Sequence, residues 1–122
     1  MNTARRDVAW TLELDVRDGR LDEVHALAAE MAEAIRAGEP GALAYEWNVS
    51  DDGRTAHLSE RYADSASALV HLGNFTSRFM ARFLELLAPT RFVVYGAPDD
   101  AVREAIAGFG PVYLAPAAGF RR

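Results

Sequence analysis

Five residues in the stretch Ala42–Phe75 have the types and spacing to do chemistry: Tyr45, Trp47, Glu60, Tyr62 and His71. An imidazole titrates near neutral pH, and a carboxylate beside it orients and charges the ring, so such a pair can hold or move a proton. Aromatic side chains next to the pair can form a slot for a flat ligand. Whether the chain gathers these residues depends on the register of the strands that carry them.

The stretch reads as a β-hairpin running into a helix. Asp52-Gly53 signals a two-residue type I′ turn, which needs positive φ at both central positions. With those residues as the loop, Asp51 faces Arg54, Val49 faces Ala56 and Trp47 faces Leu58; Tyr45 then faces Glu60, and Leu43 faces Tyr62. Side chains alternate along a strand, so facing residues share a side of the sheet. One side carries Leu43, Tyr45, Trp47, Val49, Leu58, Tyr62 and a single acid, Glu60. The other carries Ala44, Glu46, Asn48, His57, Ser59 and Arg61. A slip of one residue would mix the two sets, so the pattern supports the register.

Glu60 is the anomaly on the apolar side. A buried carboxylate is costly unless it is paired or protonated, and His71, on the following helix, is the expected partner. Two roles fit the pair: a base near neutral pH, or a structural tie between helix and sheet. Tyr45, Trp47 and Tyr62 likewise fit either an aromatic ligand slot or plain core. Glu46 and Arg61, on the polar side, read as a cross-strand or cross-dimer ion pair. His25 and His57 read as solvent-facing. The three histidines lie on separate elements without metal-ligand spacing, so no metal site is expected. No glycine-rich phosphate loop or nucleophile-elbow serine is present.

The elements around the hairpin follow from periodicity. Met1–Arg6 reads as a frayed end. Val8–Val16 alternates as a half-buried strand. Leu21, Val24, Leu27, Ala28, Met31 and Ile35 recur at helical spacing, with Asp22 and Glu23 in the first turn and Gly38 and Pro40 as stops. Asp64 is an N-cap for a helix carrying Ala66, Leu69, Val70 and His71. Gly73-Asn74 predicts a break or bend, after which Phe75, Phe79, Met80, Phe83 and Leu87 continue an apolar stripe to Pro89. Thr90–Ala97 reads as a fourth strand. Pro98-Asp99-Asp100 opens a short helix with Val102 and Ile106 on its stripe, and Val112-Tyr113-Leu114 is a candidate extra strand.

The order is β-α-β-β-α-β, the ferredoxin-like plan within the α+β class. A four-stranded antiparallel sheet with helices on one face is expected, followed by a C-terminal helical extension. With 122 residues a single domain is expected, its core at 8–97 and its extension at 98–122. The polar second face of the sheet fits either a solvated surface or a two-fold dimer through that face.

Composition removes several classes of function. There are 18 acidic against 13 basic residues, a net charge of −5, which argues against non-specific nucleic-acid binding. Cysteine is absent, which excludes disulfides, thiolate catalysis and cysteine-ligated metals. The mean hydropathy of −0.09 and the lack of a long apolar run or leader pattern point to a cytoplasmic protein that does not enter membranes.

Glu60-Arg61-Tyr62-Ala63-Asp64, with His71 seven positions on and Phe75 soon after, resembles the antibiotic biosynthesis monooxygenase family of dimeric α/β barrels, in particular its quinol-monooxygenase-like members. Tyr45-Glu46-Trp47 resembles the aromatic-Glu-aromatic triplet of their preceding strand. The likeness covers Val8–Ala97 in element order, and its specific motif spans Tyr45–Phe75. It implies a homodimer with sheets packed face to face and a pocket in each subunit between sheet and helices. Haem-degrading relatives carry a haem-ligating histidine one helical segment beyond His71. Here that place reads Arg78-Phe79-Met80-Ala81-Arg82, so haem is not expected.

The resemblance implies a cofactor-independent monooxygenase for a small phenolic or quinol-type aromatic molecule. His71 and Glu60 would be catalytic, and Tyr45, Trp47 and Tyr62 would line the substrate slot, with no metal and no cofactor. A phenol or quinol would lose a proton to His71 and react with O₂ as the anion. The alternatives are a non-catalytic homodimer binding a small apolar ligand, and an isomerase or lyase on the same scaffold.

Overall fold

The computed structural model describes residues 6–122; the expected frayed end falls mostly at residues 1–5, outside the described residues. The elements run β1 (Val8–Val16), α1 (Leu21–Gly38), β2 (Ala42–Val49), β3 (Thr55–Tyr62), α2 (Ser65–Asn74), a π-turn (Phe75–Phe79), α3 (Met80–Leu86), β4 (Leu87–Gly96), α4 (Asp100–Ile106), a 3₁₀ turn (Ala107–Phe109) and β5 (Pro111–Leu114). The strand order is β2-β3-β1-β4-β5. Its first four strands are antiparallel, in the ferredoxin-like order.

The sheet has five strands, not four, because the chain does not end at β4. The helix α4 makes the crossover that a parallel pair requires, and β5 joins β4 in parallel, from Phe92 opposite Pro111 to Tyr95 opposite Leu114. The β4 strand also begins at Leu87, earlier than the proline suggested. Pro89 sits where the β1–β4 register shifts between Glu13 and Leu14. A bulge tolerates a residue with no N–H to give to the ladder.

The hairpin register holds from Val49 opposite Ala56 through Tyr45 opposite Glu60. Two details depart from expectation. The turn is not type I′: of its residues only Gly53 has positive φ, at 73°. The Asp52 carboxylate accepts from Ser50 Oγ at 2.8 Å and from the Arg54 N–H at 3.0 Å. Those bonds hold Asp52 on the ordinary side of φ and widen the loop to Asp51–Arg54, closed by Ser50 N–H to Thr55 O at 2.8 Å. At the far end, a bulge between Ala42 and Ala44 sets Ala42, not Leu43, opposite Tyr62. Leu43 is thereby left exposed.

Two apolar clusters fill the space between the sheet and its helices. Leu14, Leu58, Val24, Leu27, Met31, Phe79 and Phe83 form one, under α1 and α3. Val8, Trp10, Tyr62, Phe92, Val94, Ala68, Val102 and Ile106 form the other, under α2 and α4. Ala68 and Val102 are fully buried. Of the predicted break or bend at Gly73-Asn74, the break does not occur. The helix runs on with αR dihedrals at Asn74 and Phe75 into the π-turn. Such a turn holds one residue more than an α-turn and re-aims the stripe that follows it.

On the outer face, Arg61 pairs within the chain with Asp7 and not across the strands with Glu46, because the register places Ala44 opposite Arg61 and Ser59 opposite Glu46. Arg121 joins the same carboxylate at 3.2 Å, tying the tail to the start of β1. Among the described residues no helix is long and apolar enough to cross a membrane.

Candidate active site

The site is built where α2 crosses the sheet. Asp64 caps α2, its Oδ1 accepting from the Ser67 N–H at 2.8 Å, which satisfies one of the donors a helix start leaves open. Gly41 lets the first turn of α2 sit close: a Cβ there would overlap the Ser67 side chain. So seated, the helix delivers His71 over β3, and the inward alternation of β3 brings Glu60 up to meet it. His71 Nε2 lies 2.9 Å from Glu60 Oε1. Both residues are buried, at 4% exposure each.

The other ring nitrogen is also occupied. His71 Nδ1 lies 3.1 Å from Glu39 Oε1, and Glu39 Oε2 accepts from Asn74 Nδ2 at 3.2 Å. Glu39 is the residue that ends α1, and it too is buried. Ionised carboxylates only accept, so carboxylate oxygens 3.1 Å from Nδ1 and 2.9 Å from Nε2 favour the doubly protonated imidazolium. The energetics agree. Burial alone would lower the His71 pKa, but the Glu60 charge and the hydrogen bonds to Glu39 and Glu60 outweigh it and push it up to about 9. Burial likewise works to raise Glu39, yet the His71 hydrogen bond and charge, with Asn74 and Arg78, hold its carboxyl below the usual range.

Tyr62 completes the group. Its hydroxyl donates to Glu60 Oε1 at 2.5 Å, and its ring stacks on His71 with centroids 5.0 Å apart. Burial first, then the Glu60 charge and hydrogen bond, push its phenol well up, so it remains a donor. The Tyr62 hydrogen bond and the His71 ion pair both fall on Glu60 Oε1. Among the described residues Oε2 carries no hydrogen bond.

A cavity of about 60 Å³ opens beside this cluster. Glu60 and His71 are the polar side chains in its wall. The rest is apolar: Trp10, Leu12, Leu58, Leu72, Phe75, Met80, Phe83, Leu84, Pro89, Phe92 and Phe109. Trp10, Phe75 and Tyr45 stand around the imidazole with ring centroids 6.2–6.4 Å from it. Among the described residues, an outer-face hollow also reaches Glu60 and another reaches Asp7, but neither includes His71.

Of the five residues singled out by type, His71 and Glu60 meet at the cavity. Tyr62 supports Glu60 from behind the wall. Tyr45 and Trp47 face α1: Trp47 Nε1 donates to Tyr45 Oη at 3.1 Å, and Tyr45 Oη donates to Met31 Sδ at 3.7 Å. Trp47 packs on Phe83 at 5.8 Å. None of these three lines the cavity. Sequence reasoning missed Glu39 and Asn74, and it took Trp10 and Phe92 for ordinary strand positions. Glu39 did leave a signal: an acid at a helix C-terminus opposes the dipole, so its carboxylate needs another partner. Among the described residues no group of three or more His, Cys, Asp or Glu is arranged to hold a metal ion.

The fold and the buried acid–imidazole cluster define a ferredoxin-like domain with a cavity between sheet and helices. The antibiotic biosynthesis monooxygenase family model matches residues 8–78, and the chain belongs to that family. Among solved structures it is similar to MupZ from Pseudomonas fluorescens (24% identity, TM-score 0.85), covering 96% of this chain and 95% of that one. It is also similar to Rv0793 from Mycobacterium tuberculosis (28% identity, TM-score 0.65), covering 78% of this chain and 98% of that one. A conserved protein from Methanosarcina mazei Go1 matches at 16% identity and TM-score 0.66, covering 75% and 93%. The MupZ likeness runs through the C-terminal extension, whereas the other two leave about a fifth to a quarter of this chain unmatched. No curated protein sequence matches the chain.

Proposed function

We propose that the protein is a cofactor-independent monooxygenase for a small phenolic or quinol-type aromatic molecule. One observation carries the reading: a buried carboxylate–imidazolium pair in the wall of an otherwise apolar, aromatic-lined cavity. An apolar enclosure accepts a flat neutral ring, and among the described residues the pair supplies the charge in the cavity wall. His71 donates from both nitrogens, so Glu60, through Oε2, is the group that takes the substrate's O–H proton. His71 then faces the new anion with a full positive charge, in a site where such a charge acts strongly. The electron-rich anion reacts with O₂. One oxygen atom enters the ring and the other leaves as water with two substrate hydrogens, all four electrons coming from the substrate. Tyr62 positions Glu60, while Tyr45 and Trp47 brace the wall from the α1 side and shape the slot without lining it.

We also propose a homodimer through the outer sheet face. Tyr95, Val112 and Leu114 form an exposed apolar patch there, the kind of surface a second copy covers. Sedimentation at micromolar concentration is expected to give twice the chain mass. The single 122-residue domain and a cytoplasmic setting belong to the same reading.

The catalytic assignment is tested by O₂ uptake with hydroquinones for wild type, Glu60→Gln and His71→Ala. Both variants are expected to lose at least a hundredfold in rate, the usual worth of a positioned base. Equal rates in all three would remove the two residues from the chemistry. Ligand-dependent thermal stabilisation without O₂ consumption would favour a binding protein instead.

A further inference from the structure

We propose that Glu39 is a positioning residue: it holds His71 doubly protonated and thereby assigns the proton-accepting role to Glu60. The inference rests on the function proposed above for this cavity, and it adds a residue that lies outside the cavity wall and acts only through the imidazole.

The geometry is that of a chain, Asn74 to Glu39 to His71 to Glu60 to Tyr62, buried from Glu39 onward, with heavy-atom distances of 3.2, 3.1, 2.9 and 2.5 Å. An imidazole with one carboxylate partner can give that partner its only N–H and keep the other nitrogen as a base. Here Glu60 Oε1 stands 2.9 Å from Nε2 as an ion-pair partner, and Glu39 Oε1 takes the nitrogen that would otherwise be free. With both carboxylates ionised, the ring has no lone pair left to offer a substrate. Glu39 is itself held at two points, by His71 on Oε1 and by Asn74 on Oε2. Pro40 follows it and fixes the backbone φ one residue on.

The groups that face the imidazole come from every neighbouring element. Glu60 and Tyr62 approach from β3 and Tyr45 from β2, while Glu39 comes from the end of α1. Trp10 approaches from β1 and Phe75 from the π-turn, neither bringing a charge. Arg78, in the π-turn, is the nearby cation that acts on Glu39. Two negative charges thus frame one positive ring, and the pair Glu39–His71 is neutral as a unit. Glu60 then carries the cluster's net negative charge beside the cavity. The raised His71 pKa is consistent with this arrangement.

The experiment follows the ring itself and the reaction separately. Imidazole ¹⁵N shifts are recorded against pH for wild type, Glu39→Gln and Glu39→Asp, alongside the pH profile of O₂ uptake with hydroquinone. In wild type both ring nitrogens are expected to remain protonated through pH 8. In Glu39→Gln, which keeps the shape and loses the charge, the His71 midpoint is expected to fall by at least one pH unit. The upper limb of the activity profile should move with it. Glu39→Asp should restore most of the midpoint.

A purely structural Glu39 would lower the melting temperature and leave the midpoint and profile in place; that result overturns the proposal. If no variant, wild type included, consumes O₂, the proposed function fails, and the ¹⁵N titration still decides the role of Glu39. Should Glu39→Gln not fold, Asn74→Ala frees one carboxylate oxygen without touching the ring. It should lower the midpoint by a smaller step, and no movement there overturns the proposal equally.

Discussion

The stability of this fold should fall as pH rises from neutral, and the size of the fall is set by one ring. Free histidine titrates at 6.5, whereas His71 is pushed up to about 9 in the fold. Its proton is therefore bound more tightly in the native chain than in the unfolded one. The stability it contributes is complete below pH 6.5, declines at about 1.4 kcal/mol per pH unit above it, and is gone beyond about pH 9. Over that interval the loss is about 3 kcal/mol, a large share of a typical margin of roughly 5–15 kcal/mol. On the acid side Glu39 has the opposite sign. Its pKa is depressed, so its contribution is present above 4.5 and is lost as pH falls through the folded value. Tyr45 and Tyr62 are pushed up and cost stability only as free tyrosine ionises near 10, above the window of interest. The assay is urea unfolding at steps across that window for wild type and Glu60→Gln. The amide keeps the shape of the carboxylate but removes the strongest charge on the ring, so the slope in Glu60→Gln should shrink well below wild type. A wild-type curve that stays flat across that interval, or equal slopes in the two proteins, would refute the imidazolium reasoning.

Three further outcomes are expected. Asp64→Ala removes the cap of the helix that carries His71 and should cost about 1 kcal/mol in denaturant unfolding, with Asp64→Ser recovering most of it. Gly41→Ala forces a methyl group into Ser67 and should destabilise by about 1–3 kcal/mol. The double variant with Ser67→Gly should give back more than half, read by a double-mutant cycle. Phe109→Ala opens the cavity where its ring meets Phe92 at 6.4 Å. Because Phe109 is half exposed, stability should change by less than about 1 kcal/mol. The ratio of rates on a bicyclic over a monocyclic hydroquinone should rise severalfold.

Much of this architecture was legible in the residues. The alternation of Trp47, Tyr45, Leu58 and Glu60 fixed which side of the hairpin each occupies, because a slip would have buried Arg61 and exposed Trp47. The pairing of Glu60 with His71 was legible for the same reason: one acid among apolar neighbours needs a partner, and the next helix offers one. The turn was misread because Asp52 uses its own carboxylate to hold the loop, a side-chain bond that no dipeptide signal contains. Glu39 was passed over because a residue before Pro40 reads as helix punctuation, and its aim depends on where α1 ends relative to α2. The identity of the cavity wall was not legible either. Trp10 and Phe92 look like any inward strand residue, and the space they leave depends on how far the π-turn swings Phe75 and Phe83.

The family match ends at residue 78, yet the cavity does not. Its chemical floor, with Glu60, His71, Trp10 and Phe75, lies inside the matched stretch. Its far side, from Met80 through Pro89 and Phe92 to Phe109, lies beyond it. The two halves can therefore change at different rates: the floor is tied to a buried charge network that tolerates little, while the far side is made of side chains that need only be greasy. Under the proposed function, a chain built this way keeps one proton-handling pair while substitutions in its last third change which molecules are admitted to it.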